Sequence, residues 1–344
     1  MHPRTRAALP FVGLAALALT VTACSSTPAS SESDAPAAAE MIVVENAQPT
    51  LVEVTEDGET YMDEDLETPR GSVDVPFQPT AVVTFDIATL DTLHAIGAGD
   101  AVVGIPEIAL PDYLSEYADL PKVGTLFEPD YEAVNELEPD LIVTAARSTG
   151  VYDELAEIGP TIDLTAAYAG TFDPEAGLVR AAQLGEIFGE EEAVAERTGE
   201  IEELISTIQG EASGTALVLS VSGGEYGAFG EGSRFGYFFD ALGFTPAVAA
   251  AELPGAEGSP HGDTVTNEFI LTANPDWIIA FDRGAATGEG STAEETLDNE
   301  IVAQTTAATE GDIVYLPASE LYIVINGLTA IENVLTSVHD SLAS

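Results

Sequence analysis

The chain carries almost no positive charge. Its 344 residues hold nine Lys and Arg against 60 Asp and Glu, a net charge of −51 at neutral pH. So acidic a surface repels nucleic acid and anionic membranes, and neither is an expected partner. Most of these acids read as a solvated, salt-tolerant surface. Cysteine is nearly absent too. Cys24 stands alone, which excludes an internal disulfide. The histidines are scattered, with no H-x-H or H-E-x-x-H spacing, so no metal motif is present. There is no G-x-S-x-G turn and no phosphate-binding loop, so the common signals of a hydrolase or a nucleotide-driven enzyme are missing. With 60 carboxylates, paired acids would arise by chance and carry no signal.

What is present begins at the N-terminus. Arg4 and Arg6 precede an apolar run at residues 7–20, followed by Val21-Thr22-Ala23-Cys24. The run is shorter than the roughly 20 residues needed to cross a bilayer. A charged start, an apolar stretch and small residues at a cut form a secretory leader. The tetrad ending at Cys24 resembles a lipobox, in which the thiol is diacylated and becomes the new N-terminus. The expectation is a signal peptide at 1–23, then a lipidated Cys24 on a flexible Ser/Ala/Pro stalk to residue 40. The expected address is the extracytoplasmic face of the cell membrane, as in a Gram-positive bacterium. Removing the leader leaves seven basic residues against 60 acids, a balance of −53. Each surviving cation, among Arg70, Lys122, Arg147, Arg180, Arg197, Arg234 and Arg283, therefore carries more meaning.

Beyond the stalk, short β-rich runs alternate with helical periodicity. Strands are expected at 81–85, 102–105, 141–144 and 162–164, with helices at 86–96, 131–137, 152–158 and 174–188. A charged amphipathic helix follows at 190–209, its apolar stripe made of Val194, Ile201, Leu204, Ile205 and Ile208. A second series then begins, with strands at 216–221, 277–281 and 313–316 and helices at 235–242, 267–272, 294–306 and 328–342. The order predicts an α/β protein with two largely parallel sheets. The expected division is an N-terminal αβ lobe at 41–189, a connecting helix at 190–210 and a C-terminal αβ lobe at 211–344. Residues 41–78 read as an extra strand pair or arm.

The two halves share a repeat. Glu132, Pro139-Asp140 and Arg147 recur as Glu268, Pro275-Asp276 and Arg283, seven residues from Glu to Pro and eight from Pro to Arg in both. Pro-Asp ends a helix and opens a buried strand, so each Arg falls just past the strand's carboxyl end. Open α/β sheets bind ligands there. Arg234, in Gly232-Ser233-Arg234-Phe235-Gly236, occupies a glycine-rich turn that lets backbone approach a ligand. Three arginines at loop or strand-end positions suit a multiply anionic ligand, because the guanidinium stays charged and donates in a rigid fork. By contrast, Arg180 and Arg197 lie on helices, and Lys122 and Arg70 in polar loops. His261, in Ser259-Pro260-His261-Gly262, is either a ligand-contacting loop residue or simply solvated.

On these residues the chain resembles the solute-binding lipoproteins of ABC importers for iron-siderophores and cobalamin, over roughly residues 75–344. Gly232-Ser233-Arg234-Phe235-Gly236, His261-Gly262, Asn274-Pro275-Asp276, Asp282-Arg283-Gly284 and Leu297-Asp298-Asn299 are similar to the branch that binds ferric catecholates, including petrobactin. The resemblance implies a bilobal class III fold with small lobe closure. It implies that Arg147, Arg234 and Arg283 surround an anionic Fe(III)-siderophore. It also implies that His261 and a tyrosine after the last strand, here Tyr322, reach iron when the chelate is incomplete. The segment around Tyr322 departs from the family's aromatic-rich pattern. Further implications are that Glu132 and Glu268 dock to a permease served by an ATPase, and that the chain is a monomer. No catalysis, no cofactor and no metal bound without a siderophore are expected. The competing expectations are a receptor for another iron complex or a cobalamin-like solute, and a surface adhesion or structural lipoprotein.

Overall fold

Short apolar strands build the two larger sheets. The structure, a computed structural model, describes residues 40–46, 50–56, 59–65, 70–165, 170–255, 261–284 and 292–343, with backbone alone for 50–56 and 59–65. The expected leader and Cys24 lie outside the described residues. Where one N-terminal strand pair was expected there are two. β1 (Met41–Glu45) pairs antiparallel with β4 (Ser72–Pro76), and β2 (Thr50–Glu56) with β3 (Glu59–Asp65). Asn46 and Arg70 fasten this arm to the main body. The Asn46 amide donates to Tyr152 Oη at 3.0 Å and accepts from the Asp163 amide at 2.7 Å. Arg70 donates to Asp153 and to the Thr149 carbonyl, each at 3.1 Å.

The first sheet runs β6-β5-β7-β8, entirely parallel, from β5 (Val82–Thr84), β6 (Val102–Gly104), β7 (Leu141–Thr144) and β8 (Thr161–Asp163). Every residue of β5 and β7 is buried, as a parallel sheet covered on both faces requires. Around it stand α1 (Ile87–Ala95), α2 (Tyr131–Glu136), α3 (Tyr152–Ala156) and α4 (Pro174–Phe188). Asp86 caps α1 by accepting from the Thr89 amide at 2.9 Å. Asp173 caps α4, whose Pro174 fits the first turn and whose end is Gly189 at φ +71°.

The long helix α5 (Glu191–Glu211) leads to the second sheet, burying Val194, Ile201, Ile205 and Ile208. That sheet contains β9 (Thr215–Ser222), β10 (Glu225–Phe229), β11 (Thr245–Pro246), β12 (Asp263–Val265), β13 (Trp277–Asp282) and β14 (Ile313–Leu316), in the order β12-β10-β9-β13-β14 with β11 beside β9. It is parallel on the β13 and β14 side but antiparallel on the β10 and β12 side. Gly223 and Gly224, at φ +59° and +82°, fold the chain back between β9 and β10.

The remaining helices are α6 (Tyr237–Asp240), α7 (Asn267–Ala273), α8 (Ala293–Leu297), α9 (Thr306–Glu310) and α10 (Leu328–Leu342). The single helix expected at 294–306 breaks after Leu297, because the Asn299 side chain accepts from the Ile301 and Val302 amides and starts a separate turn. α10 buries Leu328, Ile331, Val334, Leu335 and Val338. It packs on α5, α1 and α4. One continuous core thereby runs from Val82 and Leu141 of the first sheet to Val218 and Phe281 of the second.

The repeat has a structural half. Asp140 accepts from the Thr80 and Ala81 amides, both at 2.9 Å. Asp276 accepts from the Thr215 amide at 2.7 Å and from Thr215 Oγ1 at 2.9 Å. In each sheet the aspartate ties its own strand to the start of the neighbouring parallel strand. The residue before each proline has positive φ, +46° at Glu138 and +41° at Asn274.

Candidate functional site

Three loops deliver the three arginines. After β7 the chain turns through Ala146, at φ +47°, into a 3₁₀ turn carrying Arg147. Arg234 follows β10, and Arg283 follows β13. All three converge on Tyr322, which lies on a π-helical turn at Glu320–Val324. The guanidinium carbons of Arg147, Arg234 and Arg283 stand 5.7, 5.1 and 5.8 Å from its ring centroid. Arg147 Nη2 donates to the Tyr322 carbonyl at 2.8 Å, and Arg283 Nε to the Tyr322 hydroxyl at 3.3 Å. Arg234 Nε donates to the Gly170 carbonyl at 2.9 Å, and the Arg234 carbonyl accepts from the Phe172 amide at 2.9 Å. Its guanidinium carbon also lies 4.7 Å from the centre of the Phe235 ring.

Burial is the main cause that lowers the pKa of Arg147 and of Arg234; Tyr322 opposes it in both, Asp86 does so for Arg147, and the other two arginines add to it for Arg234. Arginine is basic enough that both remain cations. His261 is exposed at the entry to β12. Partial desolvation lowers its pKa, and Arg283 and Arg234 lower it further. Each of these effects favours the neutral imidazole, the form that can ligate a metal. Its backbone is fixed: Ser220 Oγ donates to the His261 carbonyl at 3.2 Å, and Gly262, at φ +84°, lies so close to Gly227 that a Cβ would sit 2.7 Å from the Gly227 carbonyl carbon.

Glu132 and Glu268 are exposed in the first turns of α2 and α7. Hydrogen bonds from its own amide and from Thr266 lower the Glu268 pKa. Neither glutamate belongs to the arginine cluster. Beside Arg147, a small cleft of about 50 Å³, continuous with solvent, opens at the carboxyl ends of β5, β7 and β8. Asp86, Thr89, Arg147, Arg180, Ile323 and Ile325 are among the residues that line it.

The profile of the Periplasmic binding protein family matches residues 82–320. The chain belongs to this family. Petrobactin-binding protein YclQ of Bacillus subtilis (strain 168) is 35% identical over 281 residues, 79% of this chain and 86% of that one. The YclQ crystal structure aligns with a TM-score of 0.71 at 32% identity, covering 86% of this chain and 99% of that one. A TroA-like periplasmic binding protein from Xylanimonas cellulosilytica aligns at 0.73 with 34% identity, covering 89% and 100%. The periplasmic catecholate-siderophore binding protein VctP of Vibrio cholerae aligns at 0.70 with 28% identity, covering 84% and 99%. These likenesses fit the bilobal α/β architecture of periplasmic binding proteins.

Within this family frame, several site residues escaped the sequence reading. Arg180 does lie on a helix, but its Nε reaches the Thr165 carbonyl at 3.1 Å and the residue lines the cleft. Asp86 also lines the cleft, and burial raises its pKa. An Asp between a strand's carboxyl end and a helix was the available signal for it. Gly170 and Phe172 lie far from Arg234 in sequence, and nothing local announces their contact. Arg70, taken as a polar-loop residue, has a side chain only 7% exposed, and its guanidinium carbon lies 4.1 Å from the centre of the Tyr152 ring.

Proposed function

We propose that this chain is the extracytoplasmic solute-binding lipoprotein of an ABC importer, taking an anionic ferric siderophore of catecholate or mixed-catecholate type between its two αβ lobes. One observation carries the reading: three of the seven basic residues of the mature chain gather around one aromatic ring at the sheet mouths. Iron(III) held by three dianionic catecholates is trianionic. Three guanidinium groups match that charge, and their planes can stack on catechol rings. The names of YclQ and VctP, a petrobactin binder and a catecholate-siderophore binder, support the same ligand class.

In this reading Arg147, Arg234 and Arg283 grip the complex. His261, kept neutral by its surroundings, offers a nitrogen to iron where the chelate leaves a position open. The lobes are residues 41–189 and 211–344. Glu132 and Glu268, one on each, meet basic residues of the permease, whose ATPase drives import. The chain binds and delivers its ligand and catalyses nothing. Cys24, diacylated, holds it at the outer face of the membrane.

Calorimetric titration of the soluble chain with ferric complexes of different charge tests this reading. Tight binding of a trianionic tris-catecholate and weak binding of a neutral tris-hydroxamate are expected. Equal affinity for the two would contradict it.

A further inference from the structure

Three like charges do not gather in a partly desolvated site unless something separates and holds them. Here the element common to all three is Tyr322. It offers Arg147 its carbonyl oxygen, Arg283 its hydroxyl and all three arginines its ring. The ring has firm support. It lies nearly parallel to Phe281, with centroids 6.4 Å apart and 27° between planes. Phe281 packs against Phe235 at 4.8 Å, and Phe235 against Phe229 at 4.9 Å. The backbone that carries Tyr322 is unusual on both sides. A π-helical turn is rare and tends to mark functional positions. Ile325, which follows that turn, has φ +67°, a value a β-branched residue adopts only where its surroundings enforce it. Next to it, the Asn326 amide donates to the Thr171 carbonyl and accepts from the Asp173 amide, each at 2.9 Å. These bonds tie the Tyr322 segment to the same stretch of chain that orients Arg234.

We propose that Tyr322 is the positioning residue of the arginine triad. Its π face and its two oxygens hold the three guanidinium groups splayed around a common centre before ligand arrives, a role separate from any later contact of its hydroxyl with iron. The proposal rests on the reading of the cluster as an anion receptor, yet it makes a claim about the ligand-free protein that can be measured alone. A cation over an aromatic face is attracted by the ring quadrupole, and the attraction grows as water is excluded. Phenylalanine preserves that face; alanine removes it.

The ligand-free test is ¹⁵N relaxation of the arginine Nε–H groups, which are few enough to assign singly. In the wild type, Arg147, Arg234 and Arg283 are expected to be as ordered as Arg70, which is pinned elsewhere and serves as the folding control. Tyr322→Phe should keep the order of Arg147 and Arg234 and loosen Arg283 only partly, since the ring face stays and the hydroxyl partner goes. Tyr322→Ala should loosen Arg234 and Arg283 while Arg70 stays rigid; Arg147 should change less, because its backbone partner survives. Unchanged order in Tyr322→Ala would overturn the proposal.

The second test is titration with a ferric tris-catecholate. Tyr322→Phe should bind within about 5-fold of wild type and Tyr322→Ala about 30-fold or more weakly. If Tyr322→Phe is as weak as Tyr322→Ala, the hydroxyl and not the ring face holds the triad, and the proposal fails. Failure of the wild type to bind would instead refute the anion-receptor reading, leaving the relaxation result to judge the proposal.

Discussion

Arg234 depends on a residue that has no side chain. Gly170 adopts φ +82°, and a Cβ there would stand 2.8 Å from Arg234 Nη2 and 3.2 Å from its Cζ. Gly170→Ala should therefore push the guanidinium aside and weaken binding of a trianionic ferric complex by about 10-fold, roughly the worth of one charge-assisted hydrogen bond. Affinity for a neutral ferric complex should stay the same, and paired titrations check this. A second residue-scale device lies behind the site. Asp91 of α1 accepts from Tyr113 Oη at 2.6 Å and from the Thr329 amide at the start of α10 at 2.8 Å. Burial drives its pKa from 3.8 up to about 6. Because the folded value is the higher one, the fold favours the protonated form. Stability from this group is fully present below pH 3.8 and is lost as pH rises through about 6. In urea denaturation at stepped pH, Asp91→Asn should flatten that decline. The three arginines were legible in the sequence because cations are scarce and two of them repeat in register. Asp91 and Gly170 were not, since their meaning depends on segments remote in sequence.

The most legible elements are those whose ends carry their own chemistry. Pro-Asp before β7 and β13 marked two strand starts and two loops with Arg. The structure gives the aspartates a reason to recur, because each bonds the first residues of an adjacent parallel strand. Asp140→Ala and Asp276→Ala should each destabilise the chain by about 1–2 kcal/mol, the cost of losing hydrogen bonds to a charged acceptor. Urea midpoints measure this. The elements misread were those decided by one or two side chains within an apolar pattern. Gly223-Gly224 put an antiparallel hairpin into a sheet expected to be largely parallel, and Asn299 cut an expected helix in two. Of the N-terminal arm, the clamps Asn46 and Arg70 could not be read, because their partners Tyr152, Thr149 and Asp163 lie far along the chain.

At the scale of the whole molecule, two fields oppose each other. A net charge of −51 on the chain stands against a small positive centre. The distant acids act over many ångströms and are screened within about 10 Å at moderate salt, whereas contacts inside the site are screened far less. The association rate of a trianionic ferric complex should therefore rise with ionic strength, the reverse of ordinary electrostatic steering. Stopped-flow measurement from low to high salt shows the sign. The shared core, and α10 packed on α1, α4 and the long helix α5, oppose hinge motion. Scattering with and without ligand should accordingly show a nearly constant radius of gyration. The central claim, that three arginines select the ligand by charge, is tested most directly by titrating the combined Arg147→Gln, Arg234→Gln and Arg283→Gln variant with a ferric tris-catecholate. Affinity at least about a hundred-fold below wild type, with the fold intact, is the expected result; wild-type affinity would contradict it.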